Sequence, residues 1–143
     1  MPAWPMIFGA GESFYCTPFG NGMMISPADE TPVDPHDAWP EQLDIATGID
    51  QFQQHISYEF DTLIHQWAGL RTFAADGDPV VGFDREKPGF FWLAGQGGYG
   101  IQTSPALGAL CKELIVPDTG HNNALFTAAE VSDLRGKLSP ARF

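Results

Sequence analysis

Residues 95–100 read GQGGYG, a G-x-G-x-x-G string directly after FFWLA and directly before IQTSPALG. Glycine at four of these six positions lets the backbone approach a neighbour closely, because no Cβ holds it off. Between a strand and a helix, the same spacing cradles a dinucleotide pyrophosphate at the helix N-terminus. That role also needs a second strand, with an Asp or Glu roughly 20 residues on for a ribose. The sequel here is IVPDTGHNNALFTAAE, which has little strand character, and too few residues follow Pro117 to finish a nucleotide-binding half. The expectation is therefore that this string does not hold a dinucleotide's phosphates. What remains is a close-approaching backbone beside the free N–H groups and positive end of a helix. An electron-rich ligand edge, negative when reduced, suits that place. A tight strand-to-helix turn without a ligand is the other reading of the same residues.

Other reactive side chains form no constellation. His36, His55, His65 and His121 are scattered without ligand spacing, and Ser13, Ser26 and Ser104 lack a G-x-S-x-G setting, so neither a metal nor a hydrolase site is assigned. Cys16 and Cys111 are far apart and read as reduced, partly buried thiols. The stretch 26–44 carries six acids, but four prolines keep them from sharing one helical face.

The elements that must position the glycines follow from pattern. PMIFGA, SFYCTP and GMMISP, within 5–27, read as a β-meander with glycine turns. Residues 26–44 read as a loop, and Ile45, Ile49, Phe52 and Ile56 mark one face of a helix over 45–56. YEFDTLIHQWAGLRTF (58–73) reads as a strand passing into a loop, ADGDP as a turn, and VVGFD as a short strand. FFWLAG (90–95) reads as a fully buried strand. Ser104 and Pro105 fit N-cap and first-turn positions of a helix over 104–116, with Leu107, Leu110, Cys111 and Leu114 as its apolar stripe and Pro117 as its stop. A short helix is expected over 127–135. The sum is one α+β domain over 1–143, with a mixed, mainly antiparallel sheet and a long helix of the C-terminal half packed on it.

Composition bounds the partners. Eighteen acids against seven Lys and Arg give a net charge of −11, which repels nucleic acid and anionic lipid. No apolar run reaches the roughly 18 residues of a membrane span, and the N-terminal residues do not read as a leader, so a cytoplasmic protein is expected.

WAGLRTFAADGDPVVGFD (67–84) with GFFWLAGQGGYGIQTSPALG (89–108) resembles the C-terminal part of the FAD-dependent D-amino-acid oxidase superfamily. ISPADETPVDPHDAWPEQLDIATGID (25–50) and LSPARF (138–143) are similar to its D-arginine dehydrogenase type. The likeness spans nearly the whole chain; glycine oxidase and sarcosine oxidase are more distant. It implies that Arg71 pairs with the carboxylate of a small amino-acid substrate, a task a guanidinium's planar fork suits; a structural salt bridge is the other reading. It places Tyr15 over the carboxylate side of the pocket and Met6 at an apolar pocket position, where residue type alone gives a half-buried strand aromatic and plain core. It places the Gly98 carbonyl near the substrate amine, and Gly97, Gly98, Tyr99, Gly100, Ile101 and Gln102 against the flavin ring and ribityl chain. Glycine oxidase has an Arg at the position matching Gly98, so this chain departs from that branch.

The chemistry implied is hydride transfer from Cα of an amino acid to flavin N5. The family holds FAD mainly through an N-terminal Rossmann unit, and GAGESF (9–14) has Phe where a third glycine belongs. The chain is thus expected to be a part that holds FAD weakly and is inactive alone, working as a homodimer or with a complementing FAD-binding chain. A non-catalytic binding or assembly module with the same fold is the alternative.

Overall fold

A computed structural model describes residues 4–116 and 125–143. These form β1 (Ile7–Phe8), β2 (Tyr15–Phe19), β3 (Gly22–Ser26), α1 (Gln42–His55), β4 (Val80–Phe83), β5 (Phe91–Ala94), α2 (Gly100–Ile115) and α3 (Ala128–Lys137). Every pairing between these strands is antiparallel, so the α+β class with a mainly antiparallel sheet is what the chain adopts. The strands make two sheets, β1-β2-β3 and β4-β5, and the chain divides into two compact units, Met1–Leu70 and Arg71–Phe143. No helix among the described residues is long and apolar enough to cross a membrane.

In the first unit the meander forms as its glycine punctuation implies. β2 pairs with β1 through Ile7↔Cys16 and with β3 through Thr17↔Met24. Phe14, Cys16 and Phe52 are its buried centre, with Trp4, Ile7, Met23 and Ile25 packed around them. α1 buries Phe52 and leaves Ile45 and Ile49 half-buried; it starts at Gln42, and Ile56 serves as its C-cap. Residues 27–41 contain no helix or strand, as expected of the proline-rich loop.

The strand expected within 58–73 does not form. Those residues run without a ladder, and their one pairing is the isolated bridge Phe73↔Gln96. Strand propensity expresses fit against a neighbouring strand, and no described strand pairs with residues 58–72.

In the second unit β4 and β5 make a hairpin with Val80↔Ala94 and Phe83↔Phe91 in register. Its turn is organised by Asp84. Asp84 Oδ1 accepts from the N–H groups of Glu86 (2.8 Å) and Lys87 (2.9 Å), and Oδ2 accepts from Trp92 Nε1 (2.8 Å). α2 lays Leu107, Leu110 and Leu114 against Val81, and Val131 and Leu134 of α3 pack on the same cluster. Thr127 caps α3 in a capping box with Glu130. Cys16 is buried and Cys111 half-buried; both are free thiols, and burial pushes each above the ordinary thiol range.

Two expectations are corrected here. The run FFWLAG (90–95) is not fully buried: Phe90, just before β5, is 50% exposed, and Trp92 and Leu93 within it are 37% and 46% exposed. Helices cover one face only in part: Val81 and Phe91 pack under them, Leu93 stays open on that same face opposite Val81, and Trp92 lies on the other. α2 begins at Gly100, not after Ser104, and holds Pro105 inside it. A proline there removes the N–H that would meet the Ile101 carbonyl. The Ser104 hydroxyl donates to that carbonyl instead, at 2.8 Å, so the turn survives. Pro117, read as the helix stop, and His121 lie outside the described residues.

Candidate functional site

The glycine loop leaves β5 and turns into α2 within a few residues. Gln96 bridges to Phe73, and the Gly97 N–H donates to the Thr72 carbonyl at 2.9 Å, so residues 72–73 form the loop's floor. Gly97 takes φ +54°, in the left-handed region. A Cβ on it would stand 2.6 Å from Phe73 Cε1, well inside contact distance. Glycine is thus required twice at this position, by conformation and by space.

Arg71 and Phe73 are two apart on the segment that bridges to the loop. The Arg71 guanidinium carbon lies 5.0 Å from the centroid of the Phe73 ring, a cation–π stack. Arg71 Nη1 lies 3.0 Å from where a Cβ on Gly98 would sit. One aromatic ring therefore supports the loop through Gly97 and carries the guanidinium beside Gly98. Arg71 is exposed to solvent.

α2 opens immediately beyond. Its first i→i−4 bond runs from Thr103 N to the Tyr99 carbonyl, at 3.0 Å. The N–H groups of Gly100, Ile101 and Gln102 precede it and have no partner within the helix. Its first turn holds no acid, so no side chain there offsets the positive end of the dipole. Ile101 is 94% exposed and Tyr99 43%. Arg71, the glycines, Tyr99, Ile101 and Gln102 thus lie on one unit and flank one loop-to-helix junction. The arrangement offers a cation, outward N–H groups and a glycine surface, which suits a carboxylate beside an electron-rich ring edge.

Tyr15 and Met6 belong to the first unit. Tyr15, at the start of β2, is half-buried with its ring 6.0 Å from that of Phe8, and Met6 is 47% exposed beside β1. Two contributors escaped the sequence reading. Phe73 is one, since nothing in its local sequence separates it from the chain's other phenylalanines. Arg142 grips Asp76, a contact that nothing local in either segment signals.

The family model described as FAD dependent oxidoreductase matches residues 2–114, which takes in the stretches quoted above for the likeness except LSPARF at 138–143.

Proposed function

The chain belongs to the FAD dependent oxidoreductase family, and on that premise we propose that it forms the substrate-binding, flavin-facing part of an enzyme oxidising the α-amine of a D-amino acid. The observation that carries this reading is the Arg71 guanidinium, stacked on Phe73 beside Gly98 and next to the N-terminus of α2. Family members use FAD, and the junction suits the ring end of that cofactor: a glycine loop beside the Arg71 guanidinium, and the N–H groups of a helix whose first turn holds no acid. It does not suit the phosphates, because β5 pairs antiparallel with β4 and the segment builds no βαβ crossover.

In this reading Arg71 holds the substrate carboxylate through paired charge-assisted hydrogen bonds, and its seat on Phe73 fixes the fork's plane. The Gly98 carbonyl accepts from the substrate ammonium, which orients Cα. Bound beside residues 97–102, FAD would supply the acceptor for the hydrogen and the electron pair that leave Cα. Residues 97–102 line the ring, and the first-turn N–H groups of α2 favour negative charge beside them. Tyr15 and Met6 are assigned to the substrate on the strength of the family resemblance. Water then converts the imino acid to a 2-oxo acid and ammonium. The phosphates fall to a dinucleotide-binding portion, which a complementing chain would supply, and the chain alone is expected to be inactive.

The test mixes the chain with the FAD-loaded dinucleotide-binding portion of a family dehydrogenase and adds D-arginine or another D-amino acid without oxygen. The expected result is loss of visible flavin absorption. Arg71→Met should slow that loss by about 10–100-fold, since a hydrogen bond to a charged group contributes about 1.5–3 kcal/mol. Equal rates for wild type and variant contradict the reading. A mixed complex that never bleaches with any D-amino acid marks a non-catalytic assembly module instead.

A further inference from the structure

The segment 138–143 is far from Arg71 in sequence, yet it grips the same unit. Arg142 makes a forked pair with Asp76 through Nε to Oδ2 and Nη2 to Oδ1, the latter at 3.0 Å. Nη2 also donates to the Asp78 carbonyl at 2.7 Å, and Nη1 to the Ser139 carbonyl at 3.1 Å. One guanidinium thus ties both ends of the 76–78 turn to its own segment. Around it the Val81 N–H donates to the Leu138 carbonyl at 2.7 Å. Pro140 sits so close to Gly82 that a Cβ there would lie 3.0 Å from Pro140 Cδ.

The turn held by Arg142 packs against the glycine loop. Gly95 is buried, and a Cβ on it would stand 3.3 Å from Ala74 N and 3.8 Å from the Asp78 carbonyl oxygen, the same carbonyl that accepts from Arg142. From Ala74 the chain runs back through Phe73, which bridges to Gln96 and lies under Gly97, to Arg71. Pro140 and Phe143 also share a depression of about 330 Å³ with Thr72, Phe73, Gly95 and Trp92. The Asp78 carbonyl thus lies between Gly95 and Arg142, and the Asp76 carboxylate is held by the same guanidinium.

We infer that Arg142 is a positioning residue for the carboxylate site: by fixing the 76–78 turn it sets the register of residues 71–74 against 95–98, and so the place of Arg71. This rests on the proposed role of Arg71. A guanidinium suits the task because three of its nitrogens take four acceptors at fixed angles, which a lysine ammonium on a flexible stem does not reproduce.

The test uses the whole chain and needs no cofactor. Arg142→Gln and Arg142→Lys are compared with wild type by amide hydrogen exchange and by the Arg71 Nε–H resonance. In Arg142→Gln the Gly97 amide, bonded to Thr72, should exchange about tenfold faster or more, and the Arg71 resonance should move. Leu110, in the core of α2, should keep its protection, and Arg142→Lys should recover only part of the change. An unchanged Gly97 amide and Arg71 resonance overturn the inference, as does equal acceleration at Gly97 and Leu110, which marks general loosening. A D-amino acid titration of the wild-type chain separates the two ideas. If the Arg71 resonance ignores the ligand, the carboxylate reading fails, while the exchange data still decide the coupling to Arg142.

Discussion

Replacing Gly97 by alanine should destabilise the second unit through two separable costs. At φ +54° an alanine occupies the left-handed region, which costs about 1–2 kcal/mol. Its Cβ would also lie 2.6 Å from Phe73 Cε1 and 3.0 Å from Cδ1, so the ring must move or the loop must lift. Overpacking of that kind costs about 1–3 kcal/mol, and the two together come to about 2–5 kcal/mol. The ring has limited freedom, since it lies beneath the Arg71 guanidinium and Phe73 is bridged to Gln96. Urea denaturation of Gly97→Ala should show a lower midpoint at unchanged slope. In a Phe73→Ala background the clash is absent, so the same substitution should cost only the conformational share, about 1–2 kcal/mol. Gly98→Ala is the contrast. Gly98 is outside the positive-φ set, and its Cβ would meet the movable end of Arg71 at 3.0 Å, so the midpoint should shift by less than about 0.5 kcal/mol while Arg71 is displaced. A wild-type midpoint for Gly97→Ala, or equal losses at 97 and 98, refutes this account of the loop.

Other outcomes follow from the same geometry. Leu110 is 1% exposed at the centre of its cluster, so Leu110→Ala should cost about 2–5 kcal/mol in urea denaturation. Ser104→Ala leaves the Ile101 carbonyl without the hydroxyl that stands in for the missing Pro105 N–H; faster amide exchange confined to the first turns of α2, with the core unchanged, is the expected sign. Asp76 is held below the ordinary carboxylate range chiefly by the hydrogen bond from Arg142, and Asp84 chiefly by that from Trp92. Carboxylates lowered in this way contribute stability fully present above the unfolded-state value near 3.9 and lost as pH falls through the folded value. The urea midpoint should therefore hold from neutrality to about pH 5 and fall below about pH 4, less steeply in Asp84→Asn; a flat profile down to pH 3 contradicts the assignment.

Much of the fold is written in short-range pattern. The glycine-punctuated apolar runs give β1 to β3, and helical spacing alone picks Phe52, Leu107, Leu110 and Leu114 as buried. The departures share a cause. Ser104–Pro105 is a genuine helix-start signature, and only the Ser104 hydroxyl on the Ile101 carbonyl shows how the helix passes through it. FFWLAG reads as buried because an apolar run does not reveal whether a second layer covers the sheet. Residues 58–72 carry strand-forming side chains but meet no paired strand, and propensity without a neighbour yields no ladder. At the site, the glycines stand out by type and spacing, and Arg71 through the family resemblance. The Phe73 platform depends on its bridge to Gln96 and its contact with Arg71, pairings between segments that only the folded chain makes. The Arg142–Asp76 pair joins residues 66 apart in sequence, beyond any local signal.

The most direct test of the central claim is a D-amino acid titration of the isotope-labelled chain, following the Arg71 Nε–H resonance and the amides of residues 97–102. The account predicts saturable shifts at Arg71 and at Gly97 and Gly98, and their loss from the loop amides in Arg71→Met. Loop shifts that persist in the variant, or a wild-type Arg71 resonance that ignores the ligand, would contradict it.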